Sequence, residues 1–343
     1  MPKTADSRFN TDAPASQAVE RVLLAYWPGF AEGQVSNAIR SKLRVHTRSD
    51  CTIAFLPGWR ERPETFLKIF GSPDALQHEV DGLKQAAAIV MESQVAVPRI
   101  LDVLPAENAV LLEHIAGLTL DRLLRRRLID PRERINGVWP QLGAWLRRLN
   151  DSEIVGDEPA RLLAEWSAAL ERYLTPLHGL LGPHRVGQIR SLQNALVRTI
   201  MREPATLVRC HGDFALGNCI VNGQRVWITD FAYSRFGPRE MDLERLWASL
   251  EDAIGFFPAT QTLRSEIQRE FAQGYGSEQT RPSATADLIH LELRVERIYF
   301  LSKHVPASVL KRTWRRYLRK RTTDDLCRWT QSRLDHHLRQ QGR

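Results

Sequence analysis

No run of about 18 apolar residues occurs anywhere in the 343-residue sequence, so nothing in it reads as a membrane-spanning helix. Cysteine is scarce. Cys51, Cys210, Cys219 and Cys327 are scattered and form no CxxC pair, which argues against a disulfide frame and against a zinc site. Reduced thiols in a cytoplasmic protein are the expectation. The N-terminal stretch MPKTADSRFNTDAPAS is polar and lacks an apolar h-region, so no secretory signal is expected. Residues 1–15 read as disordered. Internal repeats and low-complexity tracts are also absent.

What is present suits an ordinary globular protein. The chain is 43% hydrophobic and 26% charged, enough to build a core without a metal or disulfide staple. Its length fits two domains, or one domain with two lobes. The net charge of +8 is unevenly placed. From Lys303 to Arg343 there are twelve Lys/Arg and three Asp/Glu, so the remainder is close to neutral. An anionic ligand, an acidic surface or a nucleic acid would each suit such a tail.

The pattern changes along the chain. SQAVERVLLAYWPGF, from Ser16, reads as an amphipathic helix stopped by Pro28-Gly29. Strand-like runs follow at 42–48, 51–58 and 64–70. Pro73 and Asp74 then open a helix, and two further strands flank a PAEN turn. After about residue 115 helices dominate: 119–127, 134–151, 158–174, 184–203, 240–253, 260–275, 284–302, 307–320 and 323–340. The reading is an α+β chain, with a mixed lobe over 16–115 and a helical lobe over 116–343.

The segment CHGDFALGNCIVNGQRVWITDF carries the chemistry. Asn222-Gly223 between two apolar runs is a strong hairpin signal. Such a hairpin brings Asn218 and Asp230 to one end, with Asp213 in the loop just upstream. Two carboxylates and an amide oxygen are hard ligands that suit Mg²⁺ shared with phosphate oxygens.

HGDFALGN fits H-x-D-x-x-x-x-N, and the second hairpin strand ends as ITDF. This resembles the aminoglycoside phosphotransferase and choline kinase-like family of small-molecule kinases. The resemblance covers roughly 30–275, with its specific motifs in 211–242. It implies a two-lobed, protein-kinase-like fold, with a small antiparallel-sheet N-lobe and a mostly helical C-lobe. It implies ATP and Mg²⁺ as cofactors. Asp213 would meet the acceptor hydroxyl, and Asn218 and Asp230 would hold Mg²⁺. FGPREMDL is similar to the family's GDPxxDLA segment, matching at Gly237 and Asp242. A phosphate-binding cation held by a helix carboxylate is also needed, and Lys68 and Glu79 are in place for it. Taken alone, Lys68 is an ordinary strand lysine, and Glu92 competes with Glu79. In LLEHIAG the resemblance assigns backbone groups of Glu113 and Ile115 to the adenine. His211 is expected to brace the loop rather than to act in catalysis.

Departures are visible. No glycine-rich loop lies between the first two strands, which leaves Thr47, Arg48 and Ser49 to cover the phosphates. GQVSN (33–37) is a faint match to the family's opening motif. Asn150 stands where the family often has His. These gaps keep a catalytically idle kinase-like binding protein open as an alternative.

The expected activity is ATP-dependent transfer to a hydroxyl of a small acceptor. Aminoglycosides are polycations and want an acidic pocket, whereas the C-terminal helices here are basic. A neutral or anionic acceptor, such as a sugar or glycan, therefore leads over an aminoglycoside phosphotransferase proper. Arg315, Arg316 and Arg319 are the tail arginines expected at the acceptor cleft. A nucleic-acid module built on KRTWRRYLRKR is the weaker reading. Leu310, Trp314, Tyr317 and Leu318 share a helical face there, as they would in a basic helix packing its apolar side.

Overall fold

The computed structural model describes residues 19, 21–22, 44–47, 51–56, 64–89, 94–127, 137–156, 159–202, 206–255, 260–276, 283–303 and 309–341. The stretch 1–15, Glu92, the GQVSN segment and the 48–50 connector lie outside them, as does most of the helix expected from Ser16. Only residues 19, 21 and 22 of that helix are described, and they are helical.

The N-lobe is a five-stranded antiparallel sheet of order β1-β2-β3-β6-β5. Its strands are β1 (Arg44–Thr47), β2 (Cys51–Leu56), β3 (Thr65–Phe70), β5 (Ile100–Leu104) and β6 (Ala109–Glu113). Thr52, Ala54 and Leu56 alternate inward along β2, the period-two pattern of a strand with one buried face. Ala54, Leu56, Leu67, Ala109 and Leu111 cover that face together with Val19 and Val22. The PAEN turn is a single 3-10 turn closed by Asn108 in the left-handed region at φ 49°.

Helix α1 (Pro73–Ile89) begins where the sequence says it should. Pro73 occupies the first turn, and the Ser72 hydroxyl accepts from the Ala75 N–H at 3.3 Å. Leu76, Val80 and Leu83 form its buried stripe. Glu79 lies on the same stripe and is fully buried, a position no carboxylate holds without a partner.

The C-lobe helices are α2 (Leu120–Arg127), α3 (Val138–Ser152), α4 (Pro159–Leu174), α5 (His178–Leu181), α6 (Pro183–Ile200), α7 (Glu240–Ile254), α8 (Gln261–Tyr275), α9 (Ala284–Lys303) and α10 (Val309–Gln341). One apolar core runs from β3, β6 and α1 through α3 to α7 and α8; Phe70, Leu83, Trp145, Phe231, Leu246 and Phe271 belong to it. A second holds α4, α6, α9 and α10 together. The helices expected at 307–320 and 323–340 are one 33-residue helix. Between them stand Arg321 and Thr322, with no Gly or Pro to stop a helix. Thr322 turns its hydroxyl back onto the Leu318 carbonyl at 2.9 Å, a bond a threonine makes from within a helix.

Two small sheets complete the fold. The hairpin strands β10 (Cys219–Asn222) and β11 (Arg225–Ile228) are flanked by β4 (Val95–Ala96) on one side and β7 (Leu118–Thr119) on the other. The hairpin is thereby gripped by chain from either side of the LLEHIAG segment. The other sheet joins β8 (Ile154–Val155), β9 (Leu207–Cys210) and β12 (Arg235–Pro238).

Candidate active site

The hairpin turns one residue later than Asn-Gly alone suggests. Asn222 pairs with Arg225, so the two-residue loop is Gly223–Gln224, with Gly223 at φ 61°. Glycine at the first loop position fits the II′ pattern of a tight hairpin. The open end then sits where the sequence puts it. Cys219 pairs with Ile228, and the Thr229 N–H donates to the Asn218 carbonyl at 2.9 Å. Asn218 and Asp230 therefore share one end of the hairpin. Asp230 itself is left-handed, at φ 73°, which is unusual for a residue with a side chain.

Asp213 reaches the same place from its loop. The Asn218 Nδ2 donates to both the Asp213 carbonyl (2.8 Å) and its Oδ2 (3.0 Å). That orientation leaves the Asn218 Oδ1 as the free-facing end of the amide.

The loop is braced from beneath. His211 is fully buried, and burial lowers its pKa to about 4, so the ring is neutral. Its Nε2 lies 3.1 Å from the Thr229 carbonyl, and its Nδ1 accepts from the Asp213 N–H at 3.3 Å. This is a bracing role, as the sequence implied. Asp242, at the start of α7, accepts from the N–H groups of His211 (2.8 Å) and Gly212 (2.9 Å). Burial pushes its carboxyl up to about 7 against those two bonds. Gly212 has φ 86°, and a Cβ there would collide with the Tyr233 carbonyl.

Lys68 faces this loop from β3. Its Nζ sits 2.7 Å from Glu79 Oε1 and 2.8 Å from Asp230 Oδ1. Burial alone would lower the lysine pKa, but the two carboxylates outweigh it and raise it, so the ammonium persists. Burial also raises the Glu79 pKa, against the pull of Lys68. One cation between two carboxylates leaves one negative charge unanswered. Asp230 and Asn218 supply oxygen ligands at that point, so the donor set fits a hard divalent cation that takes its remaining ligands from phosphate and water.

At the hinge, Glu113 ends β6. Its N–H donates to the Arg99 carbonyl at 3.0 Å, and its side chain pairs with Arg99 at 2.6 Å. Asn150 is fully buried and structural: its Nδ2 donates to the Arg209 carbonyl (2.8 Å), and its Oδ1 accepts from the Tyr275 hydroxyl (2.8 Å). Cys210 and Cys219 are buried free thiols directed at backbone carbonyls. Trp145, Trp166 and Trp247 pack in the cores, Trp145 stacked on Phe214 at 5.8 Å.

Asp213 opens into a cavity of about 1010 Å³ walled by α7, α9 and α10. Arg245, which no motif in the sequence singles out, also reaches Asp213. Its Nε lies 3.6 Å from Asp213 Oδ1 and its Nη1 lies 3.0 Å from Glu296 Oε2. The only local hint was its place three residues after Asp242, on one helix face. Of the three tail arginines expected at the cleft, only Arg315 lines it. Arg316 and Arg319 do not, whereas Tyr317, Leu318 and Arg321 do. Helical phase rather than charge density decides which residues face inward. The side chains of Leu310 and Trp314 lie outside the described residues.

A sequence model described as the phosphotransferase enzyme family (APH) matches residues 55–285. No curated protein matches the chain. Among solved structures, a choline/ethanolamine kinase family protein from Mesorhizobium loti is similar at TM-score 0.58 and 18% identity, over 93% of this chain and 94% of that one. A glucosamine kinase solved with glucosamine, ADP and inorganic phosphate gives TM-score 0.56 at 14% identity, over 88% and 82% of the two chains. An aminoglycoside phosphotransferase from Streptomyces rimosus gives 0.51 at 17% identity, over 81% and 97%. At these identities the likeness is one of fold.

Proposed function

The chain belongs to the phosphotransferase enzyme family and is a small-molecule kinase; on that premise we propose that it moves the γ-phosphoryl group of ATP, with Mg²⁺, to a hydroxyl of a neutral or anionic acceptor such as a sugar or glycan. The observation that carries this reading is the convergence of Lys68, Glu79 and Asp230 with the Asn218–Asp213 pair at one end of the hairpin, Asp213 opening from there into a large cavity. A fold that only binds would not need that set, which favours catalysis over the idle alternative.

In this proposal Asp213 accepts the hydroxyl proton and aims the attacking oxygen, and the Asn218 amide fixes the carboxylate for that task. Lys68, held by Glu79, offers its ammonium to the nucleotide phosphates. Asn218 and Asp230 would hold Mg²⁺, which when bound neutralises phosphate charge as the transition state develops. The Glu113 carbonyl and the Ile115 peptide would meet the adenine. We place the division between the lobes near residue 115. Positioning and fixed charge supply the rate, and no covalent nucleophile is required. Five arginines line the cavity, which favours a neutral or anionic acceptor over a polycationic aminoglycoside.

The test is ADP release from Mg-ATP against a panel of hydroxylated metabolites, in wild type and Asp213→Asn. Turnover with at least one hydroxylated compound, abolished in the variant while Mg-ATP affinity stays within a few-fold, is expected. Near-wild-type turnover in Asp213→Asn would falsify the assignment of the base.

A further inference from the structure

The cavity at Asp213, about 1010 Å³, sits at the upper end of small-ligand pockets, which run roughly 300–1,000 Å³. Its size asks for an occupant with a body beyond one hydroxyl. Its charges indicate what else that occupant carries. Four carboxylates line it: Asp213, Glu251, Asp252 and Glu296. Each is answered by a guanidinium. Arg245 serves Asp213 and Glu296, Arg297 pairs with Asp252, and Arg264 and Arg294 hold Glu251 at 2.7 and 3.2 Å.

Arg315 differs. Its Nε and Nη2 donate to the carbonyls of Leu301 (3.2 Å) and Phe300 (2.7 Å), in the last turn of α9. Carbonyls satisfy its hydrogen bonds and fix its position, but they carry no net charge. Among the described residues no carboxylate pairs with it, so a full positive charge stands fixed on the cavity wall. Arg321 lines the same wall, its Nη1 donating to the Tyr317 hydroxyl at 3.2 Å and its Nε lying 3.9 Å from Asp325 Oδ2. Apolar surface lies alongside. Leu293, Leu301 and Leu318 line the cavity, and Phe300 and Tyr317 are 44% and 45% exposed at it. Two large aromatic faces left open in a pocket are surface for a ligand to cover.

Resting on the kinase reading above, we infer that the acceptor is an organic anion: its hydroxyl meets Asp213, an apolar or aromatic body lies against Phe300, Tyr317 and Leu318, and a phosphate or carboxylate group is read by Arg315 and Arg321. A guanidinium held by carbonyls cannot swing away, so it selects the position of the anion as well as its sign.

The experiment uses the full chain saturated with Mg-ADP, which fills the nucleotide-phosphate site. Calorimetry then compares phenyl phosphate and benzoate with phenyl β-glucoside, which has the body without the charge, and with inorganic phosphate, which has the charge without the body. At least one aromatic anion should bind tenfold or more tighter than both controls, and which one does so distinguishes a phosphate from a carboxylate acceptor. Arg321→Gln should weaken that binding at least fivefold and leave Mg-ADP affinity unchanged. Arg315→Gln should do the same; because it also uncaps α9, Arg315→Lys is the check, expected to restore part of the affinity. A neutral glucoside that binds as well as the anions overturns the inference, as does an Arg321→Gln variant with wild-type affinity for phenyl phosphate. Failure of Mg-ADP to bind would count against the kinase reading instead. In that event the loss of phenyl phosphate affinity in Arg321→Gln, measured without nucleotide, still decides the acceptor question.

Discussion

The side-chain amide of Asn218 donates to two oxygens of Asp213, the backbone carbonyl at 2.8 Å and the carboxylate at 3.0 Å. This fixes the rotamer of both residues at once, with the nitrogen end of Asn218 turned to Asp213, the proposed base. Asn218→Asp should therefore do double damage. It removes both donations and places a second anion against Asp213. We expect kcat to fall by about 100-fold, in keeping with the loss of a charge-assisted bond and an added repulsion of a few kcal/mol. Steady-state kinetics at saturating Mg-ATP reads it; a loss under threefold would show that the amide does not position the base.

Asp230→Ala separates the metal role from folding. In wild type Lys68 bridges Glu79 and Asp230, so losing Asp230 leaves Lys68 with one carboxylate and the buried site neutral. The fold should survive with little change in Tm. Mg-dependent nucleotide affinity should drop at least tenfold, and unchanged Mg-ATP affinity by calorimetry would remove Asp230 from the metal site. Lys68→Met does the reverse, leaving two carboxylates facing each other without their cation. That kind of broken buried pair costs about 3–5 kcal/mol, so urea denaturation should show a marked loss of stability.

How much of this was legible in the sequence depends on distance along the chain. His211, Asp213, Asn218 and Asp230 fall within twenty residues, and one hairpin turns that spacing into proximity. Lys68 and Glu79 are neighbours in the same sense, one strand and one helix apart. Arg245, Glu296 and Arg315 come from three helices, and only tertiary packing brings them to Asp213's cavity. Charge counting found the basic tail but not its inward face, because a helix turns 100° per residue and the phase is set by what it packs on. The strands β9 and β12 are hard to read because, unlike the equally short β10 and β11, no tight hairpin turn joins them.

Gly212→Ala tests whether the loop tolerates any change of backbone. A left-handed conformation and a collision with the Tyr233 carbonyl act together. The loop would have to move, taking the N–H groups of His211 and Gly212 away from Asp242. A destabilisation of about 2–4 kcal/mol is expected, as at other strained or overpacked buried positions, with activity lost below the level the stability change explains. Wild-type kcat in a folded Gly212→Ala would mean that the loop's position is not needed for turnover.

The last prediction concerns pH and Glu292, a largely buried residue on α9 one turn before Glu296. Burial first, and the charge of Glu296 second, push its carboxyl up to about 7, although Arg245 pulls it down. A carboxyl with a folded pKa above its unfolded value near 4 binds more protons in the folded state between those two pH values. Its contribution to stability is therefore greatest below about pH 4, falls as pH rises toward 7, and is flat above. Ion-paired carboxylates such as Glu171, held down by its bonds to Arg190, act in the opposite sense, so the whole-protein curve mixes the two. Glu292→Gln isolates the difference, because the amide keeps the shape and does not titrate. Relative to wild type, the variant should gain stability between pH 5 and pH 8. One pKa unit is worth about 1.4 kcal/mol, and discounting for the partial exposure of Glu292 leaves about 1 kcal/mol or more. Urea unfolding of both proteins at the two pH values measures it. A difference that stays constant from pH 5 to pH 8 would show that Glu292 is ionised in the folded protein throughout, with Arg245 rather than burial governing its charge.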